Sequence, residues 1–475
     1  MNTPQHMSLK ELAERYGDYP VLQSSNRQVL WKELPDAVER WQSSVDSLSL
    51  KSGDTCALYI PPSIDTILML FAMWTRGIIA APLNTRLPGE SLLELLETIR
   101  CKTLISASPL ELLSSEIHIQ LCSNIRAEQQ TPAAKEPLLI PLQNDATILF
   151  TSGSSGTSKA CLHTIGNHYF SALGSNENIP LDAGDRWLLS LPLYHVAGMG
   201  ILFRCLSSGA TICVSEEKNL VEAISEFQPT HLSLVSTQLH RVLEQWKARP
   251  SILKAVLLGG SAIPAALIEK AYTLGLPLFT SYGSTEMASQ VTTTRPNDSL
   301  ERLLSSGRLL IYRNLRIDKT GEILVRGDTL FKGYVEKDSP QPQRDANGWF
   351  HTGDLGEIDD QGYLHILGRK DNMFISGGEN IHPEEIEREI LHIKGVRRVI
   401  VVDVEHEEFG RRPVAFVDSK EWEQTQAAIQ RALPNILPKF KCPDALFPWP
   451  SEMDLPGVKI NRQEFRNRAK AAGVK

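Results

Sequence analysis

Apolar strand patterns alternate with helical patterns through much of the chain, and this alternation constrains the fold more than any other feature. It occurs between residues 50 and 110 and returns between residues 211 and 274. Strand, helix and strand in turn are typical of βαβ units, whose strands are parallel. Strands are predicted at residues 56–60, 78–82, 103–105, 211–214, 231–235 and 255–258, and helices at 63–76, 90–99, 220–227, 238–246 and 267–274. The sequence therefore predicts a large α/β domain.

The pattern changes after about residue 306, where short strands and turns replace the helical periodicity. Strands are predicted at residues 308–312, 321–326, 349–351 and 363–367, which indicates a small β-rich subdomain. After an interruption at residues 368–371, a helix is expected to begin at Pro383, with Glu384 and Glu385 in its first turn. Two further strands, at residues 399–404 and 414–417, complete a compact α+β segment.

Length and charge limit the classes of protein to which the chain can belong. With 475 residues it is too long for one ordinary core, so two or more domains are expected. Its 42% hydrophobic and 22% charged residues are typical of a globular protein. The net charge of -7 argues against a nucleic-acid partner, because such binding depends on an excess of basic residues.

Cysteine usage and the apolar runs bear on the compartment. The seven cysteines are scattered and never form a Cys-x-x-Cys pair, which indicates neither a zinc site nor a disulfide framework. A reducing cytoplasm is therefore the predicted compartment. Residues 1–18 lack the apolar stretch of a signal peptide. The longest apolar run near the start, residues 67–74, is far shorter than the roughly 18 residues of a membrane span, so no membrane insertion is expected.

A loop rich in glycine and hydroxyl residues, TSGSSGTSK from Thr151 to Lys159, follows a predicted strand at residues 146–150. Gly153 and Gly156 allow the backbone to wrap its N–H groups around a phosphate, and Lys159 adds a positive charge. The loop therefore predicts a nucleoside triphosphate ligand. Its spacing does not match the GxxxxGK[ST] motif of P-loop proteins, which indicates a different nucleotide chemistry.

Four further motifs follow this loop in a fixed order. They are Tyr282-Gly283-Ser284-Thr285-Glu286, Thr352-Gly353-Asp354, Gly368-Arg369-Lys370-Asp371 and Lys459-Ile460-Asn461-Arg462. Together the five resemble the motifs of acyl-adenylate-forming enzymes, a family that includes acyl-CoA synthetases, peptide-synthetase adenylation domains and beetle luciferases. The resemblance covers residues 151–462. It implies an ATP-dependent, AMP-forming acid-thiol ligase that uses ATP, Mg²⁺ and coenzyme A.

The chemistry of that family explains these residue types. A carboxylate that attacks the α-phosphorus of ATP brings one anion towards another, so positive charge, N–H donors and a metal must neutralise the transition state. The substrate's own carboxylate is the nucleophile and pyrophosphate leaves. A thiol then cleaves the mixed anhydride. A catalytic Ser-His-Asp or Cys-His arrangement is therefore not needed.

The resemblance assigns roles around ATP. Thr285 would contact the α-phosphate and Glu286 would bind Mg²⁺, and both count as catalytic. Glu286 could instead be a first-turn acid of a helix. The residues expected to hold the phosphates are Thr151, Ser152, Gly153, Ser154, Ser155, Gly156, Thr157 and Lys159, and those expected around adenine and ribose are Gly259, Gly260, Ser261, Ser281, Tyr282, Gly283, Asp354 and Arg369.

Three of these assignments have simpler alternatives. Tyr282 could be a core tyrosine that also lies against adenine. Asp354 could be only a turn residue. Residues 259–261 could be only a tight turn in which Ser261 caps the helix that follows.

The last motif places a catalytic lysine near the end of the chain. Lys459 is expected to reach the α-phosphate, although an extra residue, Val458, separates it from the glycine that usually precedes it. Asp371 matches the family's hinge residue, about which the small domain rotates to exchange Lys459 for a coenzyme A loop. That loop would contain Ser376, Gly377 and Gly378. The predicted fold is α/β, with a large adenylate-forming domain at residues 1–367, a hinge at 368–371 and a small mobile α+β domain at 372–475.

Substrate choice is expected to depend on residues 191–206 and on Ser284. His195 is either a core histidine or, as the resemblance implies, part of the acyl pocket. Arg204 lies within an apolar helix pattern, and a buried guanidinium is costly unless it is paired. Arg204 therefore either meets a protein acid or awaits a substrate anion. A dicarboxylic aryl acid, rather than a fatty acid, would supply that anion.

Within the family, residues 187–206, 253–260 and 374–381 resemble bacterial o-succinylbenzoate-CoA ligases, whose thioester product is closed to the naphthoquinone ring of menaquinone. In that group an arginine matching Arg204 is implicated in holding the succinyl carboxylate. The alternatives are another aryl- or fatty-acyl-CoA synthetase and, less favoured, a carrier-loading adenylation module. A pseudoenzyme is disfavoured because Lys459, Glu286 and Asp354 are all present. A homo-oligomer is left open.

Overall fold

A computed structural model gives the fold, and it describes residues 4–110, 117–125, 138–152, 158–216, 219–246, 248–335, 340–341, 343–450 and 462–472. The helices in these ranges are α1 (Leu9–Tyr16), α2 (Leu34–Asp46), α3 (Ile64–Thr75), α4 (Gly89–Thr98), α5 (Ile165–Asn178), α6 (Val196–Ser208), α7 (Leu220–Phe227), α8 (Ser236–Gln245), α9 (Ala265–Thr273), α10 (Leu300–Leu303), α11 (Pro383–Leu391), α12 (Trp422–Ala432) and α13 (Arg462–Ala471). None of them is long and apolar enough to cross a bilayer.

The strands are short and mostly buried. They are β1 (His6–Ser8), β2 (Pro20–Gln23), β3 (Gln28–Leu30), β4 (Thr55–Tyr59), β5 (Ile79–Pro82), β6 (Thr103–Ser106), β7 (His118–Leu121), β8 (Leu139–Pro141), β9 (Asp145–Ser152), β10 (Ser158–Thr164), β11 (Arg186–Leu188), β12 (Thr211–Cys213), β13 (His231–Leu234), β14 (Ala255–Leu258), β15 (Leu278–Ser284), β16 (Ser289–Thr293), β17 (Arg308–Leu309), β18 (Arg313–Ile317), β19 (Glu322–Gly327), β20 (Gly333–Val335), β21 (Pro340–Gln341), β22 (Phe350–Ile358), β23 (Leu364–Arg369), β24 (Phe374–Ser376), β25 (Glu379–Ile381), β26 (Val396–His406), β27 (Gly410–Ser419) and β28 (Ala445–Pro448).

Two large sheets contain most of these strands. One has the order β21-β20-β10-β9-β5-β4-β6-β7, and the other has the order β17-β16-β15-β14-β13-β11-β12-β2-β3. The strands predicted as βαβ units pair in parallel, as β4 does with β5 and β6, and β13 with β14. The predicted α/β fold is therefore confirmed, and the predicted helix and strand bounds in this region differ from the observed ones by at most a few residues.

One hydrophobic core joins the two sheets. It contains side chains of β4 and β5 from the first sheet, β12 and β14 from the second, and the helices α3 and α6. The sequence of α3 is apolar on all sides, as expected for a helix that is buried all round. Its Trp74 ring lies 5.2 Å from the ring of Phe203 in α6. This packing fixes α6, which carries Arg204.

The β-rich segment forms a four-stranded sheet in the order β18-β19-β22-β23. The predicted strand at residues 308–312 is wrong in its extent, because β17 ends at Leu309 and Tyr312 has a φ of 66°. The predicted strand at residues 349–351 is too short, because β22 continues to Ile358 through glycines and acids that break the apolar pattern.

The last hundred residues contain a three-stranded sheet, β26-β27-β28, with α11, α12 and α13. The helix predicted at Pro383 is confirmed, with Glu384 and Glu385 in its first turn. Apolar clusters cover both faces of this sheet. Since β23 runs through Arg369 into a 3₁₀ turn, Lys370–Asn372, the chain leaves the four-stranded sheet at the predicted hinge. The division into domains stays a prediction.

A glycine at the meeting of two sheets provides a test of the fold. Gly307 has a φ of 80°, and a Cβ there would lie 1.9 Å from the carbonyl carbon of Thr293. We expect Gly307→Ala to lower the free energy of unfolding by about 3 kcal/mol or more. Gly321 has a φ of 84° with open space around it, so Gly321→Ala should cost only about 1 kcal/mol. Equal shifts in melting temperature for the two variants would contradict the close contact.

Candidate active site

Those of the predicted ATP residues that the structure describes lie where three sheets meet. The carboxyl ends of β14 and β15 lie side by side, the β9–β10 hairpin comes from the other large sheet, and β22 with β23 comes from the four-stranded sheet. Ligands commonly bind at the carboxyl ends of parallel strands. Parallel pairing of β14 with β15 thus brings together residues that are some twenty positions apart in sequence.

The turn after β14 packs closely on β15. The Ser281 Oγ donates a hydrogen bond of 2.8 Å to the carbonyl of Leu258, and a Cβ on Gly259 would come within 2.9 Å of that Oγ. Gly260 has a φ of 86°. Ser261 does not cap α9, whose N-cap is Pro264, so the alternative role for Ser261 is wrong. Ser261 is instead exposed at this edge of the sheet.

A partly buried acid, Asp354, links two other predicted residues, Tyr282 and Arg369. The Tyr282 hydroxyl donates to Oδ2 of Asp354 at 2.6 Å, and Nη1 of Arg369 donates to Oδ1 at 2.9 Å. Arg369 also donates to the carbonyl of Thr352 and to the carboxylate of Asp371. Asp354 is therefore more than a turn residue, since it orients both the tyrosine and the arginine.

Burial dominates the electrostatics of this group. Desolvation raises the pKa of Asp354, although the charge of Arg369 opposes it. Burial also raises the pKa of Tyr282, and the nearby Asp354 carboxylate adds to that effect. The Tyr282 hydroxyl therefore stays protonated and remains a donor. A ribose hydroxyl that binds Asp354 must use the lone pairs that Tyr282 and Arg369 leave.

Thr285 and Glu286 lie on a 3₁₀ turn, Thr285–Met287, just after β15. Two side chains that the sequence did not single out hold this turn. The Tyr334 hydroxyl donates to Oε1 of Glu286 at 2.7 Å, and Nε2 of His163 donates to the carbonyl of Thr285 at 2.7 Å. Glu286 is the acidic residue in the first turn of this three-residue 3₁₀ helix, as the alternative predicted, so its position in the turn does not by itself distinguish the two roles.

A single carboxylate such as that of Glu286 fits an Mg²⁺ ion that is bound together with a nucleotide. Among the described residues no group of three or more His, Cys, Asp or Glu side chains could hold a metal by itself. Mg²⁺ is usually held by one or two carboxylates together with substrate phosphates and waters. Glu286 would therefore be its protein ligand, and the phosphates and waters would supply the remaining ligands.

Two antiparallel strands, β9 and β10, flank the predicted phosphate loop. Thr151 lies opposite Lys159, and Ser152 lies opposite Ser158. The strand predicted before the loop is confirmed as β9. The predicted phosphate residues Gly153, Ser154, Ser155, Gly156 and Thr157, together with the Ser152 side chain, lie outside the described residues, as does Lys459.

Arg204 is buried in α6, with only 1% of its surface exposed. Its Nε donates to Ser175 Oγ at 2.9 Å, and its Nη2 donates to Gln290 Oε1 at 2.8 Å and to Ser289 Oγ at 3.2 Å. The guanidinium also lies 5.1 Å from the ring of Trp187. All these partners are neutral.

The arginine therefore lacks the acid that one alternative required. Within the described part of the chain it forms no ion pair, and its Nη1 has no hydrogen-bond partner. Burial lowers the pKa of Arg204 to about 10, so it stays charged at neutral pH. A Cβ on Gly200 would lie 3.2 Å from Nη2, so this glycine leaves room beside the guanidinium. An anion fits the chemistry of this site.

The other two predicted substrate residues differ in exposure. The Ser284 Oγ is buried and has no partner among the described residues, so it has an unused hydrogen-bonding capacity beside Thr285. His195 is the N-cap residue of α6 and is exposed, so its core-histidine alternative is wrong. Its ring lies 4.6 Å from that of Tyr194.

The predicted coenzyme A loop is a tight hairpin between β24 and β25. Gly377 and Gly378 form the two-residue loop between these strands. Their φ values of 58° and 89° are typical of a type I′ turn. Ser376 is buried and accepts a hydrogen bond of 3.4 Å from Nη1 of Arg412. The Gly377 N–H donates to the carbonyl of Phe409. These contacts fix the shape of the loop.

This fold and site define a class of enzymes that use ATP to join a carboxylic acid to coenzyme A. The family described as AMP-binding enzyme matches residues 9–335, and the chain belongs to it. The chain is 32% identical to the 2-succinylbenzoate–CoA ligase of Bacillus licheniformis over 86% of its own length and 88% of the relative's. It belongs, within the AMP-binding enzymes, to the 2-succinylbenzoate–CoA ligase family.

Solved structures of similar proteins agree with this assignment. One is MenE, the o-succinylbenzoate CoA synthetase of Bacillus subtilis, in complex with ATP and magnesium ion; it is 30% identical, has a TM-score of 0.86, and covers 98% of this chain and 100% of its own. MenE from the same organism in complex with the acyl-adenylate intermediate OSB-AMP is 28% identical with a TM-score of 0.86, over 98% of this chain and 99% of its own. The chain is an ATP-dependent, AMP-forming CoA ligase.

The buried histidine behind Thr285 leads to a prediction about acid stability. Burial lowers the pKa of His163 to about 4, whereas an unfolded histidine has a pKa of about 6.5. Because the unfolded chain binds a proton that the folded chain does not, stability falls as the pH drops from about 6.5 to 4. We expect His163 to account for up to about 3 kcal/mol of this loss.

The variant His163→Gln keeps a donor for the Thr285 carbonyl but does not titrate. Melting temperatures of the wild type and the variant should therefore converge, or cross, as the pH is lowered from 7 to 4.5. Carboxylates titrate in both proteins, so they cancel in the comparison. A constant difference across this pH range would show that His163 is not held neutral.

Proposed function

We propose that the chain joins 2-succinylbenzoate to coenzyme A in menaquinone biosynthesis. ATP is converted to AMP and diphosphate, an acyl-adenylate is the intermediate, and 2-succinylbenzoyl-CoA is the product. The observation that carries the proposal is the buried Arg204 guanidinium, which has neutral partners and an unpartnered Nη1. The succinyl carboxylate would supply the missing negative charge. The letters OSB also appear in the names of ligands bound to two similar structures, OSB-AMS in one and the acyl-adenylate intermediate OSB-AMP in the other.

ATP would lie across the meeting point of the three sheets. The loop between β9 and β10, with Lys159 at its base, would hold the β- and γ-phosphates. Tyr282 would lie against adenine, while Asp354 and Arg369 would bind the ribose hydroxyls. Glu286 would bind Mg²⁺, which when present neutralises phosphate charge as a carboxylate approaches. Support comes from the short contacts that already orient Tyr282, Asp354 and Arg369.

The acyl pocket would lie between α6 and the β15–β16 hairpin. Arg204 contacts Ser289 and Gln290 of β16, and Ser284 ends β15, so the buried cation and the unpartnered hydroxyl belong to adjoining elements. The second, reacting carboxylate of the substrate would then face Thr285 and the α-phosphate. A dicarboxylic acid can engage both ends of such a pocket, whereas a monocarboxylic acid leaves Arg204 without its anion.

For the second half-reaction, the small domain would rotate about Asp371 and bring Ser376, Gly377 and Gly378 to the coenzyme A thiol. Lys459 would act in the first half-reaction and then withdraw. The cytoplasm is the proposed compartment, which the absence of disulfides among the described cysteines supports.

The role of Arg204 predicts a change in selectivity. In Arg204→Met, we expect KM for 2-succinylbenzoate to rise about 30-fold or more, because the buried carboxylate loses its cation. Activity with benzoate-like monocarboxylic acids should change little. The measurement is pyrophosphate release with coenzyme A across a panel of acids. Equal losses for dicarboxylic and monocarboxylic acids would contradict the role.

Arg313 provides a matched control for this experiment. It too is a buried arginine with an unpartnered nitrogen, Nε, and its Nη2 donates to Ser171, one turn of α5 before the Ser175 partner of Arg204. Arg313→Met should lower the melting temperature without changing the ratio of activities. If it changes this ratio as strongly as Arg204→Met does, selectivity depends on general packing and not on Arg204.

The role of Lys459 predicts that the two half-reactions separate. Lys459→Ala should abolish acyl-adenylate formation, measured as acid-dependent pyrophosphate exchange, yet keep thioester formation from supplied acyl-adenylate. Lys470, an exposed lysine of α13 that pairs with Glu405, is the control, and Lys470→Ala should keep both activities. Loss of both half-reactions in Lys459→Ala would assign the defect to folding or to another residue.

A further inference from the structure

We propose that Tyr334 is a positioning residue that orients the Glu286 carboxylate for Mg²⁺ and ties it to Lys159 at the base of the phosphate loop. The proposal rests on the proposed binding of Mg²⁺ and ATP. It concerns a side chain outside the sequence motifs around ATP, on β20, a short strand near the edge of the eight-stranded sheet.

Strand register places Tyr334 beside the phosphate loop. β20 pairs with β10, and Tyr334 lies opposite Cys161. Lys159 precedes Cys161 by two residues on β10, so the side chains of Lys159 and Cys161 lie on the same face of the sheet, as does that of Tyr334 opposite Cys161. The Lys159 Nζ lies 5.0 Å from the centre of the Tyr334 ring, within the range of a cation–π contact. The tyrosine thus contacts the strand that carries the loop.

The same side chain reaches the Glu286 turn. Its hydroxyl is 2.7 Å from Oε1 of Glu286, a short distance for a hydrogen bond to a carboxylate. The Phe331 N–H also donates to the Glu286 carbonyl, which holds the backbone of the turn from the chain that leads into β20. Both the backbone and the side chain of Glu286 are therefore fixed by residues 331–334.

This hydrogen bond leaves Glu286 able to bind a cation. One carboxylate oxygen accepts from Tyr334, while the other oxygen and the remaining lone pair stay available. Ordering a glutamate side chain costs conformational entropy, and a partner that orders it beforehand removes part of that cost from metal binding. Burial and the Glu286 charge raise the pKa of Tyr334, so its hydroxyl remains a donor.

Tyr334 also has a packing role that the test must separate from positioning. Its ring meets that of Phe331 edge to face at 4.9 Å, so removing the ring would disturb the core. Tyr334→Phe removes only the hydroxyl. Tyr363 is a matched control, because its hydroxyl donates to Asp298 at 3.0 Å and its ring lies 4.5 Å from the Arg302 guanidinium.

The experiment measures Mg²⁺-dependent binding of a non-hydrolysable ATP analogue by isothermal titration calorimetry, without acid or coenzyme A. We expect Tyr334→Phe to weaken binding of the analogue in the presence of Mg²⁺ about ten-fold, as loss of a hydrogen bond to a charged group implies. Binding in the presence of EDTA should change less than two-fold. Tyr363→Phe should resemble the wild type in both conditions. Unchanged Mg²⁺-dependent binding in Tyr334→Phe would overturn the proposal.

A double variant tests whether Tyr334 acts through Glu286. In Glu286→Gln, which lacks the metal-binding charge, the further change Tyr334→Phe should have no additional effect on Mg²⁺-dependent binding. Additive effects would overturn the proposal. The binding experiment contains no acid, so it is independent of the proposed substrate. If the wild type released no pyrophosphate from ATP when 2-succinylbenzoate was supplied, the proposed substrate would be rejected and the role of Tyr334 would still stand.

Discussion

A close backbone contact inside the β15–β16 hairpin positions the residues of both the proposed nucleotide site and the proposed acyl pocket. A Cβ on Gly283 would lie 2.0 Å from the carbonyl oxygen of Ser289, so only glycine allows the two strands to approach this closely. Tyr282 precedes this contact and Glu286 follows it, next to the proposed ATP site. Ser289 and Gln290 come from the other strand and contact Arg204. One packing requirement thus fixes the spacing between the proposed nucleotide site and the acyl pocket.

The strands and helices of the parallel sheets could be predicted because each is marked by an apolar pattern within its own short stretch of sequence. The continuous apolar runs of α3 and of β14 can be recognised within one element, and their observed bounds lie close to the predicted ones. The length of β22 could not be predicted in this way. Its residues Gly353, Asp354 and Gly356 break the apolar alternation, although Asp354 and Gly356 pair with β23 in the sheet.

The residues of the site that belong to sequence motifs could be predicted. The contacts that depend on which strands pair with each other could not. Asp354, Arg369 and Tyr282 come from three separate motifs, and the structure joins them by hydrogen bonds. Tyr334 was missed because its contact with Glu286 depends on the pairing of β10 with β20, strands far apart in sequence. The neutral partners of Arg204 were missed for the same reason, since they come from α5 and β16.

The glycine beside Arg204 has a consequence for how such an enzyme could diverge. Gly200 leaves a space next to the guanidinium. The methyl group of an alanine at this position would occupy that space and lie 3.2 Å from Nη2 of Arg204. Because the arginine is held by neutral side chains, its position can shift without breaking an ion pair. One small substitution at Gly200 would therefore move this charge, and under the proposed role of Arg204 it would alter the length of acid accepted while the adenylating machinery stays intact.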